Sequence, residues 1–183
     1  MKYDVNRPIK ADKELPEGIA DRLPDGITGE DARREFFMRQ ALIMAERSLS
    51  TGDVPVGCVI VRHNEIIAAA CNEREKEKCA TAHAETLAIE RACRALGGWR
   101  LVGSELFVTL EPCPMCAGAI VNARVPKVYF GASDPKGGGA GGMFDLFATG
   151  VNHKPEIIKG VLEDDCAAVL REFFDKKRGE NNG

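Results

Sequence analysis

The chain has 183 residues, of which 44% are hydrophobic and 29% are charged, and its formal net charge is −3. This size suits one globular domain, and the apolar share excludes a chain that is disordered throughout. The weak negative charge gives no overall signature of nucleic-acid binding, and no apolar run approaches the roughly 18 residues that span a bilayer, so we expect a cytoplasmic protein without a membrane partner.

The first 27 residues contain three prolines among many charges and show no sustained apolar period, which is typical of a flexible extension. Thr28 then stands where a helix N-cap is expected, and apolar residues recur at helical spacing until residue 50. We therefore predict a flexible extension over 1–27, one folded domain over 28–178 and a tail over 179–183.

Two β-branched runs between residues 54 and 71 flank the polar pair His63-Asn64, which indicates a hairpin. Helix and strand patterns then alternate, and a loop with six glycines over 131–142 interrupts them. The expected elements are helices at 82–96, 113–123 and 163–177, and strands at 106–110, 125–130 and 156–159. A hairpin followed by this alternation predicts an α/β fold with a mixed sheet and helices on both faces.

Two motifs at predicted helix starts carry the chemistry. His83 and Glu85 begin one helix, and Cys113 and Cys116 stand at Cys-x-x-Cys spacing at the start of the next. In a reducing compartment cysteines serve as core residues or metal ligands rather than disulfides. The two sulfurs can reach one metal ion, and the positive helix ends favour the thiolate form that a metal needs. With His83 they make three protein ligands, which leaves a position for water as in catalytic zinc sites.

Glu85 stands two residues after the histidine, where it can take a proton from that water and deliver it elsewhere. Alone, the Cys-x-x-Cys spacing also fits a redox pair, half of a structural zinc site, or two cysteines that merely share a helix. No second Cys-x-x-Cys exists in the sequence to close a structural site. The combination with His-x-Glu matches the signature of zinc deaminases and predicts one catalytic zinc ion per chain.

From about residue 32 to residue 178, the chain resembles the bacterial tRNA-specific adenosine deaminases of the cytidine deaminase superfamily. The resemblance runs through VPVGCVIV, Asn72, TAHAE, TLEPCPMCAGAI, the glycine-rich loop and Asn152-His153. It implies a three-layer α/β/α sandwich around a five-stranded mixed sheet, and a homodimer. It also implies a hydrolase that binds the anticodon stem-loop of a tRNA and converts the wobble adenosine to inosine.

The resemblance further assigns substrate contacts position by position. Asn72 would contact the flipped nucleoside, the backbone N–H of Ala84 would face the reacting centre, and Asn152 would line the base pocket. The remaining RNA contacts would come from the glycine-rich loop and the last helix, through Asp134, Lys136, Phe174, Lys177 and Arg178. A solvated helix face explains the basic run near the C-terminus equally well.

Two other functions fit the same motifs. A free-base deaminase that acts on guanine or cytosine shares the fold and the metal motif, so the substrate class depends on residues outside that motif. A regulatory or RNA-binding protein on a catalytically dead deaminase fold belongs to a different class, and the retained Glu85 argues against it.

Overall fold

The computed structural model describes residues 8–9 and 13–181, and in this part of the chain five strands form one sheet with helices around it. The strands are Gly57–Arg62 (β1), Glu65–Cys71 (β2), Glu105–Leu110 (β3), Lys127–Ala132 (β4) and Glu156–Ile158 (β5). The α-helices are Glu30–Ser48 (α1), Arg74–Glu77 (α2), Ala84–Leu96 (α3), Pro114–Ala123 (α4) and Glu163–Asn181 (α5). None of the described helices is long and apolar enough to cross a membrane.

The sheet is mixed, as predicted, with the strand order β2-β1-β3-β4-β5. Strand β1 runs antiparallel to β2 and β3, whereas β3, β4 and β5 run parallel to one another. The carboxyl ends of β3 and β4 therefore lie at the same edge of the sheet. In open α/β sheets ligands bind at this edge, and here the segment containing Cys113 follows β3 while the glycine-rich loop follows β4.

Successive residues of a strand point to opposite sides of the sheet. Both sides are buried, since each one packs in its own hydrophobic core. On one face, Ile60, Val108 and Phe130 pack in a core shared with α3 and α4. On the other face, Phe107 stacks on Tyr129 with ring centroids 4.3 Å apart, in a core shared with α1 and α5. This arrangement confirms the predicted three-layer α/β/α sandwich.

The predicted elements are present, and their bounds differ in detail. The N-cap of α1 is Gly29, with φ 90° and no side-chain cap hydrogen bond, so the prediction of a Thr28 cap is wrong. His63 and Asn64 both have positive φ, as a tight two-residue hairpin turn requires. Helix α5 extends through Asn181, which includes part of the predicted tail 179–183. The short helix α2 is absent from the predictions, because four charged residues carry no apolar period.

The described part of the predicted extension contacts the domain. The N–H of Leu23 donates to the carbonyl of Asn64 and the N–H of Ile66 donates to the carbonyl of Asp21, each at 2.8 Å. Three partly buried apolar side chains of this segment pack against the core beside α1: Leu15, Ile19 and Leu23. These contacts attach residues 13–27 to the hairpin, and the boundary at residue 27 remains a prediction.

Deleting residues 1–27 is expected to lower the melting temperature by about 5 °C or more, equivalent to roughly 2 kcal/mol in a domain of this size. The deletion exposes the apolar surface beneath Leu15, Ile19 and Leu23, and it removes the acceptor of the Ile66 N–H. Thermal unfolding of the shortened and full chains checks this. Equal melting temperatures would show that the contacts contribute no net stability.

Candidate active site and metal centre

Two helix N-termini bring three potential metal ligands together. His83 is the N-cap of α3, Cys113 is the N-cap of α4, and Cys116 lies in the first turn of α4. The Nδ1 atom of His83 lies 3.7 Å from the Sγ of Cys113 and 3.5 Å from the Sγ of Cys116. All three donor atoms lie within 4.8 Å of one another, so one ion can contact them all. One nitrogen and two sulfur donors fit a metal centre that keeps a position open.

The two thiols of this group differ in acidity. A hydrogen bond from Cys116 is the main cause that lowers the pKa of Cys113 to about 4, against the effect of burial and with support from His83. The same hydrogen bond, together with burial, raises the pKa of Cys116. A metal ion binds both cysteines as thiolates, so its binding releases the protons that they carry.

Glu85 lies in the first turn of α3, two residues after His83, and its side chain is only 3% exposed. Burial is the main cause that raises its pKa to about 7, while a backbone hydrogen bond acts in the opposite direction. A carboxyl group whose pKa is close to neutral can accept a proton in one step and donate it in the next. Glu85 therefore has the burial and the acidity that a proton carrier needs.

A cavity of about 150 Å³ opens beside the metal ligands. Its wall includes six of the residues predicted for the site: Asn72, His83, Ala84, Glu85, Cys113 and Asp134. Ala84 is the first residue of α3, where backbone N–H groups have no partner within the helix. The cavity thus combines a candidate metal-binding group, a buried carboxyl group and the first backbone N–H of a helix.

Asn72 presents an unused acceptor on the cavity wall. Its backbone N–H donates to the carbonyl of Val56 at 2.9 Å, and its side-chain Nδ2 donates to the carbonyl of Val54 at 3.2 Å. The Oδ1 atom is buried and has no hydrogen-bond partner among the described residues. Because buried polar atoms normally have a partner, this oxygen is suited to accept a hydrogen bond from a ligand.

The structure does not bring Asn152 to this cavity. Asn152 is exposed, and its side-chain oxygen accepts a hydrogen bond from Arg124, which follows the C-terminus of α4. Cys113 precedes the opposite end of that helix, whose 10 residues span about 15 Å. A role of Asn152 in the base pocket of its own chain therefore has no support in this geometry, because the sequence resemblance carries no information on distance.

The predicted RNA-contacting residues lie around the mouth of the cavity or on exposed surface. Lys136 is exposed, two residues from Asp134 in the glycine-rich loop. Phe174 is 43% exposed on α5. The Nζ of Lys177 donates to the carbonyl of Gly52 at 3.2 Å, two residues before Val54 of the cavity wall, and Arg178 pairs with Asp175. The C-terminal part of α5 thus lies close to the site.

Glu111 lies on the cavity wall, although no pattern in the sequence predicts a role for it. It is 3% exposed, and its carboxylate accepts the N–H groups of Asp134, Ala140 and Gly142 at 2.9, 3.0 and 2.8 Å. It also follows β3 directly. Glu111 therefore ties the glycine-rich loop to the segment that contains Cys113.

The glycines of this loop allow it to pack closely around that carboxylate. A Cβ atom at Gly138 would lie 2.3 Å from the side chain of Glu111, and one at Gly139 would lie 2.8 Å from the backbone of Pro114. The Gly139 N–H also donates to the carbonyl of Pro112 at 2.7 Å. These glycines therefore allow the loop to approach Glu111 and α4 closely.

Replacing Glu111 with alanine is expected to destabilise the protein by about 3 kcal/mol, since three N–H groups lose a charged acceptor. Hydrogen exchange of the backbone amides at 134, 140 and 142 should become faster. Glu156→Ala is the matched control, because Glu156 is exposed and, among the described residues, forms an ion pair only with Lys127, so a change below about 1 kcal/mol is expected there. Unchanged exchange in the Glu111 variant would contradict the assignment.

The fold and the site together define a deaminase of the cytidine deaminase type, and residues 32–178 match the MafB19-like deaminase family. The tRNA-specific adenosine deaminase of Bacillus subtilis (strain 168) is 51% identical over 145 residues, which cover 79% of this chain and 90% of that protein. The chain belongs to the tRNA-specific adenosine deaminase family.

Solved structures agree with this membership. One, from a study of A-to-I editing at the wobble position of transfer RNA, superposes with a TM-score of 0.72 at 41% identity, covering 73% of this chain and 98% of the other. The guanine deaminase of Bacillus subtilis superposes with a TM-score of 0.54 at 38% identity, covering 62% of this chain and 72% of the other. The likeness to the tRNA deaminase structure is thus more extensive.

Proposed function

We propose that this chain hydrolyses the wobble adenosine of a tRNA anticodon to inosine and releases ammonia. The observation that carries the proposal is the buried Glu85 beside the His83, Cys113 and Cys116 group in a chain of this family. These three residues would hold one zinc ion, whose ligand preferences they match. When bound, zinc lowers the pKa of a water molecule towards about 7 and so supplies a nucleophile at neutral pH.

The residues of the chain have distinct parts in this reaction. Glu85 takes one proton from the water whose oxygen bonds to C6 and delivers it to N1 of the adenine. It then moves the remaining proton of that oxygen to the amino group, so that the C6–N bond breaks, ammonia leaves and the C6 carbonyl of inosine forms. The Oδ1 of Asn72 accepts a hydrogen bond from the nucleoside, and the N–H of Ala84 donates one near the reacting atoms. Burial of Glu85 keeps bulk water from competing for its proton.

Features outside the cavity favour a polynucleotide over a free base. A cavity of about 150 Å³ accommodates little beyond one base, so the sugar, the phosphates and the flanking nucleotides lie outside it. The exposed ring of Phe174 and the exposed basic residues Lys136, Lys177 and Arg178 would contact those groups. Stacking contributes about 1–3 kcal/mol per base, and this remote binding holds the target base in place.

The homodimer is a further part of the proposal. Met115, Met143 and Phe144 are exposed apolar residues on the first turn of α4 and on the segment after the glycine-rich loop. The two segments are neighbours, because Gly139 packs against Pro114. A second copy of the chain that covers this surface would remove three large apolar side chains from water. Sedimentation of the purified chain tests this, and a dimer is the expected result.

A substrate panel tests the proposed activity. An anticodon stem-loop with adenosine at the wobble position is expected to react with a kcat/KM at least ~10²-fold above that of free adenosine, adenine, guanine or cytosine, because flanking nucleotides add stacking and phosphate contacts. Inosine or the corresponding free product is quantified by chromatography. Efficient turnover of guanine with no inosine in the stem-loop would favour the second candidate, a free-base deaminase of the same fold.

A further inference from the structure

We infer that Arg74 binds a backbone phosphate of the RNA next to the nucleotide whose base occupies the cavity, and that it thereby favours a polynucleotide over a free base. This inference rests on the proposed function. Arg74 is the first residue of α2, and it lies on the cavity wall together with His83 and Glu85.

Arg74 is exposed, and no described residue forms an ion pair with it. The other basic side chains around α2 are all paired with carboxylates: Lys76 with Glu73, Lys78 with Glu75, and Arg91 with Glu73. Arg74 thus differs from its basic neighbours in having no carboxylate partner, although it lies among acidic residues in the sequence. Its charge remains available to a ligand.

The carboxyl groups of the cavity wall explain why a phosphate needs the positive charge of Arg74 in order to bind there. Three carboxyl groups lie on the wall, those of Glu85, Glu111 and Asp134, and Arg74 is the single lysine or arginine among the lining residues. The carboxylates of Glu111 and Asp134 accept backbone N–H groups of the glycine-rich loop, which keeps them fixed. A phosphate that approaches this opening meets fixed negative charge, and Arg74 supplies the attraction that offsets it.

The backbone that carries Arg74 is held in place by a buried carboxylate. Asp53 is 1% exposed and accepts the N–H of Glu75 at 2.6 Å, the N–H of Lys76 at 3.2 Å and the hydroxyl of Thr51 at 2.8 Å. A four-residue helix has too few internal hydrogen bonds to stay formed alone, so this anchor fixes α2 before the substrate arrives. A prepositioned group loses less conformational freedom on binding.

The chemistry of the guanidinium group identifies the ligand class. Its planar set of N–H donors binds two oxygens of one phosphate at once. A free purine or pyrimidine base carries no phosphate and gains nothing from this contact. Arg74 is therefore a specificity-determining residue for the RNA, whereas Glu85 acts on the base itself.

Arg74→Gln tests the inference, with stem-loop binding measured by fluorescence anisotropy and deamination measured in parallel. We expect KM and Kd for the stem-loop to rise roughly tenfold or more because a charged hydrogen bond is lost, with a smaller change in kcat. The slope of log Kd against log salt should fall by about 0.7, the value for one phosphate contact on single-stranded nucleic acid. Zinc content should stay at the wild-type level, and turnover of free adenosine, which carries no phosphate, should fall by a smaller factor than turnover of the stem-loop.

Lys78→Gln is the matched control, because it removes the same charge from a side chain that is 80% exposed and absent from the cavity wall. Arg74→Lys keeps the positive charge, so the slope of log Kd against log salt should stay at the wild-type value. Lysine lacks the planar set of donors, so Kd for the stem-loop should still rise. Equal Kd and equal salt slope in Arg74→Gln and Lys78→Gln would overturn the inference. A wild-type chain that forms no inosine would instead sink the proposed function, and the binding measurement would still decide on Arg74.

Discussion

Replacing Glu85 with glutamine is expected to reduce the rate of inosine formation by ~10⁴-fold or more while zinc and RNA remain bound. General acid-base catalysis contributes ~10²–10⁴ in rate, and in this reaction the same carboxyl group moves more than one proton. Glutamine has nearly the same shape and fits the buried position, but it cannot carry a proton. Single-turnover rates, elemental analysis for zinc and a stem-loop binding assay measure the three quantities separately.

Glu90→Gln provides the control for this experiment. Glu90 lies on the same helix, is exposed and pairs with Arg94, so the variant should retain the wild-type rate. A Glu85→Gln enzyme that turned over within tenfold of the wild type would mean that another group carries the proton. Retained zinc in that variant is essential to the comparison, since loss of the metal would also abolish the reaction.

Cys113→Ala and Cys116→Ala should each reduce bound zinc from one ion per chain to nearly none. Each variant leaves two of the three donor atoms that converge at the starts of α3 and α4, and no fourth ligand of the group exists among the described residues to compensate. Elemental analysis after dialysis measures the stoichiometry. Zinc retention of the wild type should also decrease in acid, because thiols and histidine must lose their protons to bind the metal.

Cys93→Ala is the matched cysteine control, because this half-buried thiol lies on α3 outside the ligand group and should leave the zinc content at one per chain. Near-zero zinc in active wild-type protein, or full zinc in both ligand variants, would refute the assignment of the metal centre.

The sequence predicted the sheet and the ligand group for the same reason, namely that both depend on local patterns. The alternating runs of β1 and β2 and the left-handed pair His63-Asn64 are determined by neighbouring residues. His83 and Cys113 are each the N-cap of a helix, and their spacing to Glu85 and Cys116 is set by a single helical turn. The two helices start at the same edge of the sheet because α3 comes after β2, α4 comes after β3, and both strands run antiparallel to β1.

The features of the site that the sequence did not predict depend on contacts between distant segments. Glu111 binds the N–H of Gly142, 31 residues away, and Asp53 binds the N–H of Glu75, 22 residues away. Neither partner is marked by a local pattern, so the fixed loop and the helix that carries Arg74 become visible only in the folded chain. The separation of Asn152 from the cavity was hidden for a related reason, because a motif gives position along the chain and not distance in space.

The most direct test of the proposed function is to map which adenosine the purified enzyme converts in an anticodon stem-loop that contains adenosine at the wobble position and elsewhere in the loop and stem. Sequencing or nuclease digestion locates each inosine. The account predicts inosine at the wobble position alone, formed by the zinc-loaded wild type and absent with the Glu85→Gln variant. Conversion of adenosines without regard to position, or no inosine in a preparation that deaminates free guanine, would contradict it.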